Sequence, residues 1–459
     1  MNVSKRFSKR LIISVILLFL VISLLPDSIP VFAEDKNPKK IDFNLSVRER
    51  LEIWDGMNAK NYGDDRPGAI GSLHDRMLLQ RVIAGFVLHL NSKIDFTAHL
   101  QDSRAFGWSL RNSRYPDLFK VKAKNTEGPY YILNPNEEFF EIRELYIEFK
   151  RLWKNFSFKI GRQKISYGDS RVFGPGDWGN TGRWTWDALK VSYKKGNDFV
   201  DAFVGGTKVN DPEKISIPFT KTEFWGAGLY AHYELKKVGA IEPFYAFKTE
   251  GSADYARTLN LKHHWVGVRA FNNNWHHLVY DITYAQEFGQ DSGKKIEAFG
   301  LVVKLGYQLN SWWSRPILAF RESYASGGKN TDPTVKTFDP IYGSKDSYFG
   351  RMNIMSWSNL DDREILITFF PAKKLWVESA YHWFYIPQPE GVSLLGNLKL
   401  NPGAHRLGNE FVVFANYQLS KRWQVATAFG YFWPGEVQPI DNHPAKNASW
   451  LALQLLFEL

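Results

Sequence analysis

Charged side chains at alternate positions are the residues of this sequence with the clearest chemical use. Several strand-like segments place a basic or an acidic residue at every second position, opposite apolar residues. Neighbouring side chains of a β-strand point to opposite faces, so this spacing collects the charges on one face. The basic members are Arg48, Arg50, Arg81, Lys159, Lys190, Arg269, Lys304 and Arg321. The acidic members are Asp95, Glu144, Glu148, Asp201, Glu287, Glu378 and Glu410.

Rows of both signs predict reversible binding of a charged solute, without any bond being made or broken. Many weak sites in succession let a charged chain enter a pore and leave it again. The positive balance of these residues, in a chain with a formal net charge of +10, favours an anionic solute. For any single residue, pairing with an opposite charge on a neighbouring strand is an equally good interpretation, but for the whole set we favour conduction. The basic residues are dispersed along strands, so we expect no nucleic-acid partner.

A second candidate is the glycine-rich stretch at residues 161–189, which reads GRQKISYGDSRVFGPGDWGNTGRWTWDAL. Its glycines allow backbone turns with positive φ, and its Asp and Asn side chains can bond the backbone that they turn. The stretch lacks the GK[ST] of a P-loop and the spacing of a dinucleotide fingerprint, which excludes a nucleotide loop. Arg171 and Arg183 are candidate contacts for a carboxylate or a sugar. The candidate residues of this loop are Tyr167, Asp169, Arg171, Asp177, Trp178, Asn180 and Arg183.

The elements that carry these residues alternate between long and short connections. Short turns are predicted at Asn91-Ser92, Trp153–Asn155, Lys194–Asn197, Lys236–Gly239, Asn272–His276, Asn310–Ser314, Pro371–Lys374 and Ser420–Arg422. Long connections are predicted at Gly56–Asp75, before Phe140, at Tyr167–Thr185, and near 206–222, 249–258, 289–294, 325–362, 387–405 and 434–448. Short turns at one end and long loops at the other are typical of an outer-membrane barrel, here all-β, antiparallel and of about eighteen strands. An even strand number places both termini at the short-turn, periplasmic end.

Each strand has one apolar face and one charged face, as a barrel between lipid and water requires. In Ile41–Ile53, apolar residues alternate with charged and polar ones. The alternative is a soluble β-sandwich whose apolar face forms a core. Tryptophans near strand ends favour the barrel, because interfacial girdles form there; they are Trp153, Trp312, Trp313, Trp376, Trp423, Trp433 and Trp450. The final segment, Ser449–Leu459, is similar to the C-terminal strand by which outer-membrane assembly machinery selects barrels, although it ends in Leu.

The N-terminal residues read as a secretory signal. Basic residues precede an apolar run at Leu11–Leu25, and Val31-Phe32-Ala33 is a small-residue cleavage site. We therefore predict a signal peptide at residues 1–33 and a barrel at 34–459. The alternative, a transmembrane anchor, is disfavoured by the shortness of the apolar run. The sequence has no Cys, which excludes disulfides and lipidation. We predict neither a cofactor nor a metal site.

Three groups of residues resemble the alginate-export family of outer-membrane barrels. The first is Gly161-Arg162-Gln163, Tyr167-Gly168-Asp169, Arg171 and Phe173–Arg183; the second is Tyr324–Gly328, Thr337–Pro340 and Tyr348–Gly350; the third is Gly408-Asn409-Glu410. The resemblance implies an 18-stranded monomeric channel whose arginine-rich lumen passes a secreted polyuronate and whose loops gate the pore. It also makes Arg162 a lumen residue, although alternation from Phe156, Phe158 and Ile160 places it outward. Val412 stands where the family tends to have an acidic residue.

We predict a passive, anion-selective channel in the outer membrane of a Gram-negative-type bacterium. Its solute is an anionic polysaccharide or a uronate oligomer: the residues indicate an anion, and the resemblance implies alginate. Export and uptake both remain compatible with a passive pore. The alternative within channels is a general or small-anion porin. A barrel hydrolase is a weaker alternative, because no segment places Ser and His together on the outward face. A purely structural or adhesive barrel is a further alternative, which a plugged, non-conducting lumen would indicate.

Overall fold

The computed structural model describes residues 40–57, 70–122, 129–131, 134–182, 184–251, 261–272, 275–344, 348–391, 400–438 and 445–459. The predicted signal peptide lies outside these residues. The described part contains no helix long and apolar enough to cross a membrane.

Alternating residues form long strands throughout the described chain. In chain order they are β1 (Lys40–Asp55), β2 (Arg76–Asn91), β3 (Ile94–Phe106), β4 (Lys120–Lys122), β5 (Pro129–Tyr131), β6 (Glu138–Leu152), β7 (Phe156–Lys164), β8 (Thr185–Lys195), β9 (Asp198–Lys208), β10 (Thr222–Leu235), β11 (Gly239–Glu250), β12 (Lys262–Phe271), β13 (Leu278–Asp291), β14 (Lys294–Gln308), β15 (Ile317–Ala325), β16 (Thr334–Val335), β17 (Leu360–Ala372), β18 (Leu375–Tyr385), β19 (Arg406–Gln418), β20 (Trp423–Pro434) and β21 (Ala448–Glu458). The strands β4, β5 and β16 are short pieces within connections.

The other strands close into one barrel. Each pairs antiparallel with the next along the chain, and β21 pairs with β1 from Ser46 to Asp55, which leaves the sheet without an open edge. At the seam, the backbone N–H of Leu459 donates to the carbonyl of Leu45 over 2.9 Å. The predicted all-β antiparallel barrel is therefore confirmed, with 18 strands.

Long and short connections alternate around the barrel with one exception. The connection between β13 and β14 was expected to be long, near 289–294, but it is a two-residue turn at Ser292 and Gly293. Both residues have positive φ, 52° and 81°, which is the backbone that two-residue hairpins of the I′ type require. That prediction was wrong because the long-loop rhythm was extended across a sequence that forms a tight hairpin.

The outward face of the wall is apolar and exposed, whereas the inward face is polar and buried. Phe43 is 69% exposed and Leu453 is 53% exposed, while Arg48 on the inward face is 1% exposed. Trp153, Trp312, Trp313 and Trp423 are exposed near the short turns, as a girdle requires. Two other tryptophans were expected in the girdle but point into the barrel. Trp376 packs on Phe414, and Trp450 packs on Trp54 and donates to Glu52, so both belong to the interior.

The main apolar core lies inside the barrel, where two long connections fold inward. They are the β7–β8 loop (residues 165–184) and the β15–β17 loop (residues 326–359). The loops bring Phe173, Phe338, Tyr342 and Trp357 against wall residues such as Trp265, and all five side chains are fully buried. Burial of this much aromatic surface stabilises the inward position of both loops. We call the two loops together the plug.

Candidate functional site: the lumen and its plug

The β7–β8 loop is bound to the wall by arginines that donate to its backbone. Arg48 donates to the carbonyls of Asp177 and Gly179 over 2.7 and 2.8 Å and to Asn180 Oδ1 over 3.0 Å. Arg81, directly opposite Arg48 on β2, donates to Gly179 O over 3.2 Å. Among the described residues, neither guanidinium has a carboxylate within ion-pair distance. Their charges are hydrogen-bonded by neutral oxygens but not neutralised.

Two further arginines extend this positive zone. Arg50 donates to Trp178 O over 2.5 Å, lies over the Trp178 ring at 4.2 Å, and pairs with Glu52. Arg143 on β6 donates to the amide oxygen of Gln101. We call Arg48, Arg50, Arg81 and Arg143 the arginine cluster.

The loop segment that covers the arginine cluster is anchored by Asn180. The side-chain amide of Asn180 donates to Asn136 O over 2.7 Å and to the carbonyls of Gln80 and Arg104 over 3.2 and 3.3 Å. Ser103 Oγ donates to the Asn180 carbonyl over 2.7 Å. Asn180 is fully buried, so these bonds fix the position of the loop over the lumen.

The first half of the same loop packs on the opposite part of the wall. The Tyr167 ring stacks on Tyr230 at 4.5 Å, and its hydroxyl donates to Asp201 Oδ2 over 2.8 Å. Gly168 follows with a φ of 55°, and a Cβ there would lie 2.7 Å from the Tyr230 hydroxyl and 2.8 Å from Arg269 Nη1. Only glycine fits this turn without strain.

Asp169 lies within a basic environment formed by both loop and wall. Its carboxylate accepts from the backbone N–H of Arg171 over 3.1 Å and from the side-chain Nε of the same residue over 3.2 Å. Burial by itself raises the pKa of Asp169, but the positive charges of Arg171, Arg269 and Arg321 outweigh it and hold that pKa below its usual value. The carboxylate therefore stays ionised and stabilises the loop in place.

The two loops of the plug are joined by backbone hydrogen bonds. Tyr342 N donates to Val172 O over 3.2 Å, and Gly174 N donates to Tyr342 O over 3.1 Å. The Tyr342 ring meets Trp186 of the wall at 4.6 Å. Because each loop holds the other, displacing one loop requires breaking its contacts with its partner.

The β15–β17 loop has its own attachments to the wall. Glu410 Oε1 accepts from the backbone N–H groups of Arg351 and Met352 over 2.7 and 3.2 Å, and Arg351 pairs with Glu378 over 2.9 Å. Lys248 Nζ bonds to Asp339 Oδ2 over 2.5 Å. These contacts attach the β15–β17 loop to β11, β18 and β19.

A row of charged residues runs across consecutive strands behind the β15–β17 loop. Cross-strand register places its members directly opposite one another: Asp281, Lys304, Arg321, Glu364, His382 and Glu410. Arg321 Nε pairs with Glu364 Oε2 over 2.6 Å, and Arg269 pairs with Asp281 over 2.7 Å. These arginines therefore stiffen the wall, in contrast to Arg48 and Arg81.

The family model for alginate export matches residues 40–449. The chain belongs to the alginate-export family. No curated protein matches the sequence itself. The fold of this family member is similar to outer-membrane porin structures: OccAB2 of Acinetobacter baumannii (11% identity, 91% of this chain and 98% of that chain, TM-score 0.58) and OccK9 (OpdG) of Pseudomonas aeruginosa (9%, 91% and 98%, 0.58).

OccK3 (OpdO) of Pseudomonas aeruginosa has the same likeness, with 8% identity over 91% of this chain and 96% of that chain and a TM-score of 0.55. At such identities the likeness shows the fold alone. Family and fold together are those of outer-membrane channels and porins. The alginate-export barrel described here is therefore an outer-membrane channel.

Most of the sequence-predicted residues lie in the lumen of this alginate-export barrel. Lys159 and Lys190 face each other across β7 and β8 near the short turns, with Glu148 and Asp201 as their carboxylate partners. Glu144 bonds to His99 over 2.8 Å. Arg183 lies outside the described residues.

Arg162 is the exception among the basic candidates, because it does not line the lumen. Its guanidinium is fully buried, pairs with Asp187 over 2.7 Å and Glu141 over 3.1 Å, and donates to the carbonyl of Ser216 in the β9–β10 connection. Asp187 lies an odd number of residues from the inward-facing Lys190, so it projects to the other face of β8. The alternation of β7 therefore predicted the direction of Arg162 correctly, and its assignment to the lumen was wrong.

Most of the functional residues that the sequence did not reveal lie where alternation stops, and Lys248 is the exception. Arg143 is the extra residue of a bulge between β3 and β6, where the register shifts by one residue. Tyr342 and Arg351 belong to a loop and therefore have no periodicity. Lys248 shares a face with Glu242 on β11, so strict alternation could have found it. Val412 joins Ala319, Leu366 and Ala380 in an apolar row below the charged row, which accounts for the absence of an acidic residue there.

Proposed function

We propose that the protein is a passive, anion-selective channel for an anionic polysaccharide or uronate oligomer, of which alginate is the example that the family description names. The observation that carries the proposal is that Arg48 and Arg81 have no carboxylate partner within ion-pair distance among the described residues. Arg48 is fully buried and Arg81 is half-buried, and their only hydrogen-bond acceptors, among the described residues, are neutral oxygens of residues 177–180. A carboxylate is a stronger acceptor for a guanidinium than a carbonyl oxygen is.

During passage, the polymer then replaces the loop as the hydrogen-bond acceptor of the arginines. When the β7–β8 loop withdraws, its carbonyls leave the arginine cluster, and successive uronate carboxylates take their places. Each guanidinium presents several donors and remains charged at any physiological pH, so a carboxylate is bound in whichever register the polymer arrives. Fixed arginines also lower the cost of transferring carboxylates from water into a confined pore.

The paired residues of the lumen have a different role in this mechanism. Arg269 and Arg321 keep their wall carboxylates, so they hold the strand positions and prevent tight trapping of an anion. Export and uptake follow equally from such a passive pore. We further propose that residues 1–33 are a cleaved signal peptide, that β21 is the strand selected by the assembly machinery, and that the barrel, surrounded by outer-membrane lipid, acts as a monomer.

A small-anion porin is the second candidate function. It is favoured by the position of the plug inside the barrel. With both loops packed inside the barrel, the lumen is narrowed, which favours a small carboxylate over a polymer as the solute. Current block by uronate oligomers in a planar bilayer separates the candidates. A polymer channel is blocked more strongly as the oligomer lengthens from two to eight units, with an uncharged glucan of equal length as the control. A small-anion porin shows no dependence on length.

A further inference from the structure

The lumen also contains a cavity, which lies on the short-turn side of the plug. It has a volume of about 380 Å³ and is lined by residues of β6 to β9 and by the first residues of the β7–β8 loop. Its lining residues Ser157, Lys194 and Phe199 lie next to the short turns that follow β6 and β8. A solute can therefore reach it without any movement of the plug. We call this cavity the vestibule.

Three lysines face the vestibule, with two carboxylates between them. Lys159 lies opposite Lys190, and its Nζ is 3.4 Å from Glu148, while Lys190 Nζ is 2.7 Å from Asp201. Lys194 is on the same face of β8 as Lys190 and is exposed. Within the described residues it has no carboxylate at ion-pair distance. The lining therefore carries one positive charge in excess, at the position nearest to the opening.

A flat aromatic ring forms the adjacent surface. The half-buried Phe199 ring is nearly parallel to His232, at 5.6 Å and 5°, and to Tyr230, at 6.4 Å and 17°. Tyr167 supports it from the loop at 6.2 Å. Rings held in this way cannot rotate freely, so the face of Phe199 is presented in one orientation. Its negative π-face attracts the slightly positive C–H groups of a pyranose ring.

From this arrangement we propose that the vestibule is a binding subsite for a single hexuronate unit. The sugar lies with its C–H face on Phe199, and its carboxylate accepts from Lys194, with Lys190 and the nearby serine hydroxyls within the same cavity. A cation beside an aromatic platform is the pairing that distinguishes an acidic sugar from a neutral one. The inference rests on the proposed function, since it places one unit of the polymer on the short-turn side of the arginine cluster.

Direct binding to the full-length protein in detergent tests the subsite separately from conduction. Titration calorimetry with a uronate trimer is expected to give binding that a neutral glucose trimer lacks. Lys194→Gln is expected to weaken it about fivefold, as the loss of one exposed ion pair does. Phe199→Leu, which keeps an apolar side chain but removes the ring, is expected to weaken it about tenfold.

Lys195→Gln is the matched control, because Lys195 is the next residue and projects from the opposite face of β8. It removes the same charge and is expected to leave binding unchanged. Equal affinity of the Lys194→Gln, Phe199→Leu and Lys195→Gln variants, or equal binding of the neutral trimer, would overturn the subsite. Conduction and polymer block in the same preparation report on the proposed function. If polymer still blocks the current while the variants bind the trimer like the wild type, the subsite is rejected and the channel proposal stands.

Discussion

Arg48 and Arg81 lie directly opposite each other on β1 and β2, and both donate to the carbonyl oxygen of Gly179, over 2.8 and 3.2 Å. Two like charges share one neutral acceptor in the interior of a barrel. Such an arrangement costs free energy unless an anion can also occupy the site, because buried guanidinium groups are normally paired. The Gly179 carbonyl therefore occupies a position suited to a carboxylate.

Loosening the anchor of the β7–β8 loop should open the channel. Asn180→Ala removes the amide that donates to Asn136 O and to two other carbonyls. Lost hydrogen bonds of this kind shift a local equilibrium by about 1–2 kcal/mol, so the open fraction should rise about tenfold. Single-channel recording measures that fraction. Asn197→Ala, at an exposed short turn, serves as the control, and an equal effect there would contradict the anchoring role.

Acid should release the same loop. The pKa of Asp169 is lowered in the folded loop, so its ionised form contributes stability above the ordinary carboxyl pKa of 3.8. That contribution is lost as the pH falls through the lowered value. We expect channel opening to increase steeply below about pH 4, measured as single-channel open time between pH 7 and pH 3. Asp169→Asn should be more open at pH 7 and should show less of this acid response.

Arg162 should matter for stability and not for selectivity. Arg162→Ala leaves the buried carboxylates of Asp187 and Glu141 without their guanidinium partner. Breaking a buried pair in this way destabilises a protein by about 3–5 kcal/mol. The melting temperature of the detergent-solubilised barrel should therefore fall clearly, while the reversal potential in a salt gradient stays unchanged. A changed reversal potential in a folded Arg162→Ala barrel would return this residue to the lumen.

The strand framework was predictable from the sequence because its cause is local. Alternation of apolar and charged residues along β1 and β6 reflects two solvents, lipid and water, on the two faces of one wall. Features without a period were not predictable in the same way. The hairpin at Ser292 and Gly293 was missed because the rhythm of long and short connections was extended across it.

The plug itself could not have been derived from the sequence. The glycines and Asn180 of the β7–β8 loop indicated an ordered loop. However, the residues that this loop contacts, such as Asn136 and Tyr342, lie far away along the chain. Such long-range contacts leave no pattern in neighbouring residues. The placement of Arg162 shows the complementary case. Alternation gave its direction correctly, whereas similarity of a short motif gave the wrong environment.

The reversal potential of the wild-type channel in a potassium chloride gradient, compared with that of the Arg48→Gln/Arg81→Gln variant, tests the central claim most directly. We expect a wild-type reversal potential close to the equilibrium potential of chloride. In the variant, we expect the permeability ratio to shift several-fold towards potassium. The Arg315→Gln/Arg422→Gln variant, which removes two exposed charges at short turns, is predicted to keep the wild-type ratio. A cation-selective wild type, or a permeability ratio unchanged by loss of Arg48 and Arg81, would contradict anion selectivity based on these two arginines.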